Sequence, residues 1–152
     1  MSGSRLKPLV RATRAAVGAS ARGTPTLSRA FEEELFRCAE VLSEGSCRGK
    51  GDRGDTYFGS TMISIELERL RRVTRGGLDA DARRLLAEAV DGSVRVRLRA
   101  MRLARAEATR RIPDRALGTV CVETRVRLTE HQLHIDVDLE AAVGVSSAAR
   151  RS

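Results

Sequence analysis

A chain of 152 residues with 41% apolar but only 3% aromatic residues has material for one modest core, built from Leu, Val, Ile and Ala rather than from rings. No stretch approaches the ~20 apolar residues of a membrane-spanning helix. Three cysteines without paired spacing argue against a disulfide scaffold or a zinc ribbon and fit a reducing, intracellular compartment.

The net charge of +8 sits mostly at the ends. Residues 1–31 hold six bases and no acid, Arg150 and Arg151 add two bases, and residues 32–149 carry 20 charges of each sign. Within that neutral body, residues 32–92 have 10 bases against 13 acids, 93–115 have 8 against 2, and 116–149 have 2 against 5. The charge therefore reports basic ends and one basic segment, not a basic surface throughout.

Residues 1–25 are rich in Arg, Ala, Ser and Gly. Wound as a helix, they gather Leu6, Leu9, Val10 and Val17 on one side and Lys7, Arg11 and Arg14 on another. Two readings stand, a flexible basic arm and a presequence of the mitochondrial type. The arm is favoured, because Pro8 and Thr13 interrupt the helical version.

Thr26 or Ser28 caps a helix expected over 28–44, with Leu27, Phe31, Leu35, Cys38 and Leu42 as its buried stripe. Residues 45–59 contain five glycines and read as a connecting loop. Gly45, Gly49 and Lys50 miss the spacing of a phosphate-cradling loop, and Arg53-Gly54-Asp55 is too short a tripeptide to identify an adhesion motif. A second helix is expected over 60–75 on Ile63, Leu67 and Leu70, ended by Gly76-Gly77, with a start as strand over Met62-Ile63-Ser64-Ile65 as the alternative. A third is expected over 79–91, capped by Asp79.

From Ser93 the residues alternate, with Val94, Val96, Leu98 and Ala100 on one side and Arg95, Arg97 and Arg99 on the other. This predicts a strand over 93–107, bulged near Met101. Residues 101–111 also contain strong helix formers, but a helical projection brings Arg97 and Arg105 into the apolar arc, so the strand is favoured. Ile112-Pro113-Asp114 is a turn.

The clearest pattern runs from Gly118 to Glu140 and predicts a hairpin of strands 118–128 and 133–141. A short turn at Thr129 to Gln132 sets Leu128 opposite Leu133, Val126 opposite Ile135, Arg125 opposite Asp136 and Arg127 opposite His134. The expected fold is α+β, with N-terminal helices packed on a C-terminal three-stranded antiparallel β-meander. Residues 26–142 form one domain and 143–152 a tail.

No spacing suggests a nucleophile and its base. His134, Asp136 and Asp138 share one strand face, yet alternating polar residues are what the exposed face of a half-buried strand shows, and Arg125 competes with any cation. No catalytic residue, metal or cofactor is assigned. The basic segment, paired with 118–128, predicts a charge-divided sheet face whose contact residues are Arg95, Arg97, Arg99, Arg102, Arg125 and Arg127, with Arg11 and Arg14 adding reach. The expectation is a small non-enzymatic subunit that docks into a larger protein assembly, or onto further copies of itself. The alternative is an arginine-driven RNA or DNA binder, though the sheet lacks the exposed aromatics that stack bases.

Overall fold

The computed structural model describes residues 27–49, 55–74 and 78–145. In chain order these form α1 (Arg29–Arg37), β1 (Ala39–Gly49), β2 (Asp55–Glu66), α2 (Leu67–Thr74), α3 (Ala80–Asp91), α4 (Val94–Arg111), β3 (Arg115–Leu128) and β4 (Gln132–Val145). The fold is α+β. Its sheet has four antiparallel strands in the order β1-β2-β4-β3, so two hairpins join along β2 and β4. The expected three-stranded meander is corrected on this point: among the described residues no basic strand lies beside β3, which is an edge of the sheet, and the second neighbour of β4 is β2.

The β3–β4 hairpin follows from strict alternation. Leu128 faces Leu133, Val126 faces Ile135, Arg125 faces Asp136 and Arg127 faces His134. At the turn the Thr129 hydroxyl donates to the Gln132 carbonyl at 3.1 Å and accepts from the Gln132 N–H at 3.0 Å. Arg83 of α3 donates to the Glu130 carbonyl at 2.9 Å, and the Leu67 N–H to the His131 carbonyl at 2.9 Å, so two helices hold this turn. Leu133, Ile135, Val137, Leu139, Ala141 and Val143 of β4 are buried. Burial of each Leu, Ile or Val side chain among them contributes about 1.5–3 kcal/mol. Residues 143–145 continue the strand, so the sheet takes in the start of the expected tail.

Residues 39–49 and 55–66 depart from expectation. The helix expected over 28–44 stops at Arg37, and the loop expected over 45–59 is largely a hairpin. The physical reason is Tyr57. Gly45 and Gly59 face each other across the strands, and the Tyr57 ring lies so close that a Cβ at Gly45 would meet the phenol oxygen at 2.0 Å and one at Gly59 a ring carbon at 2.7 Å. Glycine here makes room for an aromatic ring and marks no loop. Tyr57, Thr61, Ile63 and Ile65 keep the period of two and are buried. The helix expected over 60–75 begins only at Leu67, where Leu67 and Leu70 turn into the core.

The strand expected over 93–107 is the helix α4. Its core face is Val96, Ala100, Ala104 and Ala108, four buried residues at successive i, i+4 positions. The larger Val94 and Leu98 are 70% and 45% exposed. The alternation seen in residues 94–100 came from those outward-pointing residues. Small side chains carry the packing and let the helix lie close on the sheet. The Ser93 hydroxyl caps it, accepting from the Val96 N–H at 3.2 Å.

The remaining helices complete one core. Ser28 caps α1 by accepting from the Phe31 N–H at 3.2 Å, and Phe31, Leu35 and Cys38 are buried. Asp79 caps α3 by accepting from the Ala82 N–H at 2.8 Å, with Ala82, Leu86, Ala89 and Val90 inside. These residues, the inward faces of the strands and the alanines of α4 form a single apolar cluster on one side of the sheet.

Candidate docking surface

Alternation that buries one strand face presents the other to the opposite side of the sheet. The cross-strand register sorts this second face into rows running from β1 to β3. The first holds Glu40, Ser64, His134 and Arg127, and the second Leu42, Met62, Asp136 and Arg125. The third holds Glu44, Ser60, Asp138 and Glu123, and the fourth Ser46, Phe58, Glu140 and Cys121.

The first two rows are largely neutralised internally. Ser64 and His134 are buried, with the Ser64 hydroxyl 2.9 Å from His134 Nδ1. The space beside Ser64 is only about 30 Å³, room for one water. A buried, mutually hydrogen-bonded pair of this kind satisfies two polar groups at once. Seventy residues separate them in sequence, and no local spacing signals their meeting. Arg127 binds Asp136 through two guanidinium nitrogens, one of them 3.2 Å from Oδ1. That hydrogen bond holds the Arg127 guanidinium more firmly protonated.

The third and fourth rows form a groove of about 620 Å³ lined by Glu44, Ser46, Phe58, Ser60, Cys121, Glu123, Asp138 and Glu140. Ser60 donates to Asp138 at 3.1 Å. Among the described residues, none of the four carboxylates here is in an ion pair. Phe58 is 39% exposed, with the Arg48 guanidinium 5.5 Å from its ring centre, and the neighbouring Leu42 is 60% exposed. Among the described residues, no group of three or more His, Cys, Asp or Glu side chains is arranged to hold a metal ion.

The arginines expected to share a sheet face are divided between two layers. Arg125 and Arg127 lie on the sheet. Arg95, Arg97, Arg99 and Arg102 lie on α4, among the helices. Three of these brace the helical layer: Arg95 sits 3.3 Å from Glu32, Arg97 donates to Asp91 at 3.1 Å, and Arg99 donates to Glu33 at 2.8 Å while stacking 4.2 Å over the Phe36 ring. Arg102 is exposed on the outer side of α4. Arg11 and Arg14, with the whole basic arm, lie outside the described residues. The charge-divided sheet built on strand 93–107 is thereby overturned. The acids of β3 and β4 face the acids of β1 instead.

The cysteines also separate. Cys38 is buried, and burial pushes its thiol pKa up. Cys47 and Cys121 are exposed and free.

The fold and this surface define a two-layer α+β protein whose sheet is packed on one side and open on the other. The chain matches no known protein family, no curated protein and no solved structure.

Proposed function

We propose that the chain is a non-enzymatic docking subunit that enters a larger protein assembly through the open face of its sheet. The observation that carries this reading is the groove itself: four carboxylates free of ion pairs among the described residues, beside the exposed side chains of Phe58 and Leu42. An uncovered apolar and charged surface of this kind suits a complementary protein surface. The alternative, an arginine-driven RNA or DNA binder, loses support because Arg95, Arg97, Arg99 and Arg127 are already paired with carboxylates. The open face would also repel a phosphate backbone. Two exposed free thiols support a reducing compartment.

The test compares the native chain with an Asp138→Arg, Glu140→Arg variant, each purified from native lysate with and without nuclease. Both substituted side chains are exposed, so the melting temperature is expected to stay within about 1–2 °C of the original. Partners recovered by the native chain, insensitive to nuclease and lost from the variant, support the reading. Partners lost on nuclease treatment instead, or retained equally by the variant, count against it.

A further inference from the structure

The open sheet face has a counterpart on the same molecule. Along α4 the residues Val94, Leu98, Arg102 and Arg105 fall on one side of the helix, away from Val96, Ala100, Ala104 and Ala108. All four are exposed. Among the described residues, neither Arg102 nor Arg105 is in an ion pair. The stripe is therefore apolar in its first half and cationic in its second. The sheet face has the matching pair of features, Leu42 and Phe58 beside Glu44, Glu123, Asp138 and Glu140. The dimensions agree as well. Eleven residues of helix rise about 16 Å, and the distance from β1 to β3 across four strands is about 14 Å.

We propose that the open sheet face of one copy receives the outer face of α4 from a second copy, head to tail. This rests on the docking reading and names the partner as another molecule of the same chain. Charge decides the geometry. A symmetric contact of sheet face on sheet face would set four carboxylates against four carboxylates, and a contact of helix on helix would set arginines against arginines. Set patch on patch, the heterologous contact is the one that joins opposite signs, even though the open face also carries Arg48 and Arg125. It also supplies the layer the sheet lacks, covering both faces with helices. A heterologous contact that does not close on itself generates an open row of copies.

Sedimentation velocity on the full chain tests this, using two neutralised variants. One carries Arg102→Gln and Arg105→Gln, and the other Glu44→Gln, Asp138→Asn and Glu140→Gln. The native chain is expected to show a mass that rises with concentration and falls with added salt. Each variant alone is expected to self-associate at least about tenfold more weakly. Mixed in equal amounts, the two retain one complementary contact between them, so a 1:1 pair and nothing larger is expected. A native chain that is monomeric at every concentration overturns the proposal, whatever else occupies the face. So does a variant that dimerises fully on its own, which would indicate a symmetric contact elsewhere, or a mixture that stays monomeric. If the native chain is monomeric while the Asp138→Arg, Glu140→Arg variant still loses its nuclease-insensitive partners, the docking reading stands and only the identity of the partner falls.

Discussion

The two edge strands, β1 and β3, occupy equivalent positions in the sheet and are held there by different chemistry. β3 is fastened by apolar packing: Val120, Val122 and Val126 are half-buried against the core. β1 has no fully buried residue. It is held by its pairing with β2, by the Tyr57 ring lying over its glycine, and by a polar clamp from the end of α4. In that clamp the Ser43 hydroxyl donates to Glu107 at 2.9 Å, Arg110 donates to the same Glu107 oxygen at 2.6 Å, and Arg111 reaches the Ser43 carbonyl and hydroxyl. One edge of the sheet thus depends on area removed from water, and the other on steric fit and charge.

The contrast breaks most sharply at the glycine. Gly45→Val places side-chain atoms where the Tyr57 ring stands, and a loss of about 2–3 kcal/mol is expected, the upper part of the overpacking range. Hydrogen exchange should locate the damage in β1 and β2, with β3 and β4 amides still protected. Uniform loss of protection across the sheet would show that β1 is not a separately held edge.

Val126→Ala on the opposite edge should cost about 1 kcal/mol, because that side chain is only half-buried. Its effect is expected to be global, read as a lower denaturant midpoint with the slope unchanged.

The smallest effect comes from the clamp and depends on pH. Hydrogen bonds from Arg110 and then Ser43 hold the Glu107 carboxyl below its ordinary value. A depressed carboxylate contributes stability above the unfolded pKa, and that contribution is lost as pH falls through the folded value. Glu107→Gln should therefore cost up to about 0.5 kcal/mol near neutrality and flatten the acid limb of the stability curve below the ordinary glutamate range. At the alkaline end burial pushes the Tyr57 phenol up, partly offset by Arg111. The folded state thus keeps the phenol neutral, and stability is lost as pH rises past the ordinary tyrosine value. Since Tyr57 is the chain's one tyrosine, its phenolate absorbance reports this directly. An acid limb unchanged in Glu107→Gln would remove the ionic half of the comparison between the edges.

The edges also differ in how far they can be read from sequence. In β3 and β4 each residue announces its own side: Val126 and Ile135 are apolar and inward, Arg125 and Asp136 polar and outward. Pairing then follows without outside information. In β1 nothing local does this, because Val41 and Leu42 are both exposed and Gly45 has meaning only with Tyr57 above it. For α4 the difficulty was size. Val94, Val96 and Leu98 dominate an apolar pattern by bulk, whereas Ala100, Ala104 and Ala108 do most of the packing. Of the expected contact residues, Arg125 and Arg127 stand on the outward side of their strand, where alternation puts them. The groove was hidden because two of the four strands that build it, β1 and β2, read as loop and helix. The signal present throughout was the period of two over Tyr57, Thr61, Ile63 and Ile65.

The run of short side chains along α4 has a mechanical consequence. The fully buried residues of this helix are no bulkier than valine, so it packs over the larger Ile63, Leu133 and Ile135 of the strands without large side chains of its own between them. Any larger residue at Ala100, Ala104 or Ala108 therefore has to lift α4 away from the sheet or push those strand side chains out of place.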